Sequence, residues 1–163
     1  MKQVIWIWIG VGLLSAGLVT GCQDEARDND LVELDLLPHG MPIVIMAPQD
    51  PLIETLDLVV QKDLTIKKGD YFVQIFESDA TTYDLAAIKS RLLGEVQSNR
   101  YYQKIITEDP DGFIYETAID SSYINYGFRR VRLQGDKEYI FQTGLRGKFP
   151  LEAVEKMYRA TAK

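Results

Sequence analysis

An apolar run over residues 4–19 opens the chain and ends just before Cys22, the only cysteine among the 163 residues. Lys2 precedes the run, and a positive start, an apolar core of about 7 to 15 residues and small residues before a cut are the pattern of a secretory leader. A spanning helix needs about 20 apolar residues, which this run does not supply without the polar positions that follow it. The pattern therefore predicts that residues 1–21 are a cleaved signal peptide.

The residues Val19, Thr20, Gly21 and Cys22 resemble the lipobox of bacterial lipoproteins. In that family an aliphatic residue and two small residues precede a cysteine that is lipidated, and the leader is cut before it. The resemblance implies cleavage between Gly21 and Cys22 and a diacylglyceryl group on Cys22, with or without a third, N-linked acyl chain such as palmitate. An ordinary cleaved secretory signal and an uncleaved anchor are the alternatives that a short motif leaves open.

A lipidated Cys22 predicts a location. Each buried methylene contributes about 0.8 kcal/mol, so two or more acyl chains hold a protein firmly on a bilayer. The resemblance thus implies a lipoprotein held at a membrane of the cell envelope, the outer membrane if the cell is Gram-negative, with the surface and the periplasmic face both open. Gln23, Asp24 and Glu25 also resemble the short acidic signal that sends some Gram-negative lipoproteins to the outside of the outer membrane. A disordered acidic linker fits the same residues at least as well.

Composition limits the partners of the mature chain. Removal of residues 1–21 takes away Lys2, Trp6 and Trp8 and leaves 17 basic against 24 acidic side chains, a formal net charge of −7. Phosphate backbones require a basic surface, so a nucleic-acid partner is not expected. A lipidated Cys22 leaves no thiol for a disulfide, and a single histidine does not make a usual zinc site, so we expect no metal or cofactor.

Two segments follow the leader. Residues 22–36 contain the lipidated cysteine and an acidic stretch without apolar periodicity, which predicts a flexible tether. Residues 37–163 are long enough for a single globular domain. Short runs of β-branched and aromatic residues predict early strands at 43–46, 56–60, 64–66 and 71–76.

A helix is predicted over residues 82–98 and another from Pro150. The first has the stripe Leu85, Ile88, Leu92 and Val96, with Thr81 as the expected N-cap; the second has Val154, Met157 and Tyr158. Between them, residues 101–107 and 113–119 read as a hairpin about Pro110-Asp111-Gly112, with a positive φ expected in the turn. Residues 126–133 and 138–143 read as a second hairpin.

This order of elements predicts an α+β fold, an antiparallel sheet with a mid-chain helix and a C-terminal helix packed on it. Over about residues 40–162 it resembles the PsbP/Mog1 type of sandwich, with early strands, a mid-chain helix, a long meander and a final helix. The resemblance lies in the order of elements and not in a residue motif. It therefore transfers no activity.

Two sets of polar residues are candidate chemical sites. His39 is the only histidine and has no matched nucleophile, so it is predicted to be a plain surface residue. Glu108, Asp109 and Asp111 could offer oxygens to calcium, but the spacing lacks the usual calcium loop, and a turn explains the same residues.

A possible ligand face lies on the strand at 126–133. Alternation places Tyr126, Phe128, Arg130 and Arg132 on one side and Arg129, Val131 and Leu133 on the other. The aromatic-plus-arginine side could bind anionic or sugar ligands, since arginine clamps anions with two hydrogen bonds. The favoured interpretation is an exposed sheet face paired with acids on neighbouring strands.

No catalytic motif occurs in the sequence. We therefore expect a membrane-tethered envelope lipoprotein whose domain is a non-catalytic binding or structural module. An accessory subunit that docks onto a larger envelope complex is the alternative hypothesis, and a hydrolase with an unrecognised carboxylate site is the third. The sequence leaves the oligomeric state open.

Overall fold

The computed structural model describes residues 30–163. The predicted leader, its cleavage site and Cys22 lie outside the described residues. The strands are β1 (Leu31–Asp35), β2 (Val44–Pro48), β3 (Leu52–Asp57), β4 (Lys62–Lys68), β5 (Tyr71–Asp79), β6 (Tyr102–Asp109), β7 (Gly112–Asp120), β8 (Tyr123–Gln134) and β9 (Lys137–Thr143). The helices are α1 (Leu85–Gln97) and α2 (Leu151–Ala160), and a short 3-10 turn, Leu37–His39, separates β1 from β2.

Seven of the strands form one antiparallel sheet in the order β3-β4-β5-β9-β8-β7-β6, while β1 and β2 form a separate two-stranded sheet. Every pairing joins antiparallel strands. With one helix in mid-chain and one at the C-terminus, the predicted α+β class is confirmed.

The main core lies on the side of the large sheet that faces α2 and the β1–β2 hairpin. Alternation along β5 shows why, because Tyr71, Val73 and Ile75 are buried while the residues between them are half-buried. Val154 and Met157 of α2 pack into the same cluster, as the predicted apolar stripe requires.

Helix α1 covers the opposite side of the sheet, where it packs on β8. Ile88, Leu92 and Val96 of the predicted stripe are buried there against Phe113 and Val131. The domain therefore has three layers, with α2 and the β1–β2 hairpin on one side of the sheet and α1 on the other.

The boundary expected at residue 37 is wrong, because Leu31–Asp35 forms a strand paired with β2. The sequence does not show this strand by alternation, because the two residues that pack against the core, Leu31 and Leu34, are three positions apart and acids lie between and around them. The N-cap of α1 is Asp84 and not Thr81: its carboxylate accepts a hydrogen bond from the Ala87 backbone N–H at 3.1 Å.

Two predicted details of the hairpins are also wrong. The strand expected at 56–60 ends at Asp57, since Leu58 N–H donates to the Gln61 carbonyl at 2.8 Å and closes a turn into β4. At the β6–β7 turn no residue has the expected positive φ. Gly112 is needed there for space, because a Cβ would lie 2.6 Å from the Arg129 carbonyl and 2.9 Å from the Tyr158 hydroxyl.

The two ends of the sheet carry different loops. We call one of them the Asp30 end; a cavity there is lined by Asp30, Gly69 of the β4–β5 turn and Pro150. The loop 144–149 lies at this end too, since Gly144 N–H donates to the Phe72 carbonyl at the start of β5. The β3–β4 loop, with Leu58, lies at the opposite end. Among residues 30–163, neither helix has the length and apolar character that crossing a bilayer would require.

Candidate functional site

The four residues of the predicted ligand face do share one side of β8, but that side faces the core. Phe128 is fully buried and Arg130 is only 5% exposed, and Tyr126 packs against the main cluster. The exposed sheet face expected from the sequence is therefore covered. Helix α2 covers it, with the Tyr158 ring 5.8 Å from that of Phe128.

Arg130 forms the centre of an acid–arginine–tyrosine cluster. Its guanidinium lies 3.6 Å from an Asp109 carboxylate oxygen, 3.5 Å from one of Asp111 and 4.0 Å above the Tyr158 ring. These acids come from the end of β6 and the β6–β7 turn and not from the strands beside β8, and Nε and Nη1 of Arg130 have no hydrogen-bond partner within the described part of the chain. Burial raises the pKa of Tyr158 to about 12, so its hydroxyl stays protonated at neutral pH.

The three carboxylates that form the candidate calcium site lie beside basic side chains instead. Asp109 and Asp111 face Arg130, and Glu108 pairs with Lys89 of α1 at 2.9 Å. Over residues 30–163, no group of three or more metal-binding side chains is arranged to hold an ion. His39 is half-buried in the 3-10 turn.

Arg132 joins three parts of the fold. It donates to the Val44 carbonyl of β2 at 3.3 Å, to the Thr161 carbonyl after α2 at 3.0 Å, and to the carbonyl of Lys163. Its guanidinium also lies 5.1 Å from the centre of the Phe141 ring. Burial lowers the pKa of Arg132, and the neighbouring charge of Arg130 acts in the same direction. These contacts give Arg132 a structural role.

A polar cleft lies at the Asp30 end of the sheet. Its volume is about 260 Å³, and we call it the Arg129 cleft. It is lined by Asn99, Tyr115, Thr117, Asn125, Tyr126, Arg129, Thr143, Gly144, Leu145, Gly147 and Phe149. These lining residues include one arginine and no carboxylate.

Arg129 is the cationic group of this cleft. It is half-buried, and its Nη1 donates to the Tyr115 hydroxyl at 3.4 Å and to the Phe128 carbonyl at 3.2 Å. No carboxylate of residues 30–163 lies within ion-pair distance of it. The guanidinium has five N–H donors, so these two hydrogen bonds leave part of its donor capacity unused.

Two asparagines present further donors. The Asn125 side-chain oxygen accepts from the Phe149 backbone N–H at 2.7 Å, and that of Asn99 accepts from the Tyr101 N–H at 3.0 Å. Because both oxygens are engaged, the orientation of each amide is fixed and its NH₂ group is left to donate. The cleft therefore combines a positive charge with several neutral donors.

Two glycines let aromatic rings approach the backbone beside this cleft. A Cβ at Gly127 would lie 2.7 Å from the ring and hydroxyl of Tyr115, and one at Gly144 would lie 2.5 Å from the Phe72 ring. The rings occupy the space that a side chain would need. Tyr115 is thereby held beside Arg129, with the guanidinium 5.8 Å from the centre of its ring.

Local sequence patterns do not predict this cleft. The alternation of side chains along β8 correctly places Arg129 and Arg130 on opposite sides of the sheet. It also groups Arg129 with Val131 and Leu133, and such apolar neighbours indicate a packed side. Asn99 follows α1 and Asn125 lies in β8, so only the folded chain brings them together. Tyr115 and Tyr126 also line the cleft.

Comparison of the chain with protein-family models, with curated proteins and with solved structures found no match. The two arginine sites differ in their partners. In the first, Arg130 faces two carboxylates of its own chain. In the second, Arg129 lies among hydrogen-bond donors, and no acid of residues 30–163 lines the cleft.

Proposed function

We propose that this protein is a lipoprotein of a bacterial cell envelope, anchored by acyl chains on Cys22, whose α+β domain is a non-catalytic binding module at the membrane surface. The observation that supports the proposal is the short distance along the chain between Cys22 and the first strand. β1 begins at Leu31, so only residues 23–30 separate it from Cys22. Eight extended residues reach at most about 28 Å, which keeps the domain close to the bilayer.

The placement of the Arg129 cleft agrees with such a module. The cleft includes Gly144 and Gly147 of the loop at the Asp30 end, the end from which the tether leaves. A short tether brings this end of the domain towards the lipid. A ligand of the cleft would then be bound within a few tens of ångströms of the membrane surface.

The anchor is tested by Cys22→Ser, with Gln23→Ser as the matched control one residue away. In cells supplied with labelled palmitate, the control should be labelled and recovered with membranes. The Cys22→Ser chain should carry no label and should lose its membrane association, because no other cysteine is present. Full membrane recovery of the unlabelled variant would point to an uncleaved anchor and would contradict the proposal.

Docking onto a larger envelope complex is the second candidate function, and the β3–β4 loop favours it. Leu58, Val59 and Val60 are 47%, 104% and 81% exposed, so three consecutive apolar side chains project at the end opposite Asp30. Exposed apolar groups that are clustered commonly mark interaction sites. A photo-reactive residue at position 59 should then cross-link one partner in cells, and Val60→Asp should abolish the product. A photo-reactive residue at position 145, at the other end, is the control, and equal cross-linking from both positions would argue against docking through this loop.

A further inference from the structure

We propose that the Arg129 cleft binds a small oxyanion, a phosphate or carboxylate group. This deepens the proposed function by naming a ligand class, and it rests on that function only for the position of the cleft near a membrane. The central observation is a cleft whose lining offers a guanidinium, two asparagine amides and a tyrosine hydroxyl, with no carboxylate from the described residues.

Charge distinguishes this cleft from the rest of the protein. The mature chain has an expected net charge of −7, yet no acid of residues 30–163 lines the cleft. A partly buried guanidinium without an ionic partner is a strong site for an anion, since hydrogen bonds between charged groups are shorter and stronger than neutral ones. The NH₂ groups of Asn99 and Asn125 add donors whose orientation is already fixed by their backbone contacts.

The three arginines of β8, Arg129, Arg130 and Arg132, support the assignment by comparison. Arg130 lies beside two carboxylates, and Arg132 donates to three backbone carbonyls. Among residues 30–163, the hydrogen-bond partners of Arg129 are a neutral hydroxyl and one carbonyl. It is therefore the arginine of this strand whose charge remains available to a ligand.

The size of the cleft limits what can bind. A volume of about 260 Å³ is below that of most drug-sized ligand sites, so the oxyanion carries at most a short substituent inside the cleft. Tyr115 and the exposed Leu145 border the space. A soluble phosphate or carboxylate fits this description, and so does the phosphate of a lipid headgroup at the membrane to which the domain is tethered.

The test uses the acylated mature protein in a non-ionic maltoside detergent. Sodium phosphate is titrated at constant ionic strength against sodium chloride, and the side-chain amide signals of Asn99 and Asn125 are followed by NMR. We expect a saturable shift with phosphate and none with chloride. Arg129→Gln removes the charge and Asn125→Asp replaces a donor by an acid, so each should weaken binding about tenfold or more. Lys104→Gln, an exposed cation on β6 that loses the same charge, should change the affinity less than twofold.

Asn125→Asp is the decisive variant because it keeps the oxygen that accepts from Phe149 and so preserves the local fold. Non-saturable shifts, or equal phosphate affinity in this variant and the unmodified protein, would overturn the proposal.

Vesicles of phosphatidylcholine with and without phosphatidic acid identify the source of the oxyanion, a lipid headgroup or a soluble anion. Displacement of phosphate only by the acidic vesicles assigns a headgroup, whereas no displacement assigns a soluble anion. Phosphate binding by a chain whose Cys22 proves unmodified would refute the anchor and leave the oxyanion site standing.

Discussion

Replacement of Arg132 by methionine should destabilise the domain by about 3 kcal/mol. The guanidinium donates to the Val44 and Thr161 carbonyls at 3.3 and 3.0 Å, and Thr161 is fully buried, so water cannot readily replace the lost donor. At about 1.5 kcal/mol for each hydrogen bond from a charged group, two such bonds give the expected loss. Methionine keeps the length of the side chain and an apolar contact with Phe141, so the substitution mainly removes the donors.

Urea unfolding measures this loss. With a slope of about 1–3 kcal/mol per molar urea for a domain of this size, the midpoint should fall by about 1–3 M. Arg146→Met, in an exposed loop, is the control and should change stability by less than about 0.5 kcal/mol. Backbone amides at Thr161 and Ala162 should also exchange faster in the Arg132 variant, because their hydrogen bonds end α2. A midpoint equal to that of the control would refute the structural role assigned to Arg132.

Three further predictions concern single positions. Gly94→Ala should stabilise the domain by about 0.5–1 kcal/mol in thermal unfolding, since its Cβ would meet no atom within 4 Å and alanine is the better helix former; a lower melting temperature would contradict this. Gly127→Ala should cost about 1–3 kcal/mol and weaken phosphate binding, because its Cβ would displace Tyr115; unchanged values in both assays would contradict the tight contact. The Ser122 hydroxyl and the N–H groups of Ser122 and Tyr123 lower the pKa of Asp120, so its carboxylate stabilises the fold above its unfolded pKa and loses that effect as pH falls. Asp120→Asn should therefore melt below the unmodified protein at pH 7, with the gap closing as the pH falls below about 4; a pH-independent gap would exclude this linkage.

Local periodicity was sufficient to predict most of the architecture. The spacing of Leu85, Ile88, Leu92 and Val96 predicted the buried face of α1, and the β-branched run at Tyr71 predicted β5, because both patterns follow directly from backbone geometry. β1 was missed because its acidic surroundings suggested a tether. Val59 and Val60 were assigned to a strand on β propensity, although the chain turns there and leaves them exposed.

The candidate site could not be predicted to the same extent. Alternation fixed which arginines of β8 share a side, but it could not say which side α2 would cover. The sequence consequently predicts Arg130 and Arg132 on an exposed face, whereas Arg132 joins β2 to the end of α2. The Arg129 cleft depends on residues from several elements, and such contacts are not encoded in local spacing.

The direction of β1 bears on how the domain would respond to force. Its first residue pairs with Pro48 at the Asp30 end, and its five register pairs run from there towards the opposite end of the sheet. Tension applied at residue 30 along the strand would load these five pairs together, in shear, instead of peeling them apart one after another. The ion pairs from Lys156 to Asp30 and from Lys163 to Glu33 would share that load with the C-terminal segment. A force that pulls on the N-terminus would thus be borne by the β1–β2 pairs and by the C-terminal segment before it reaches the seven-stranded sheet.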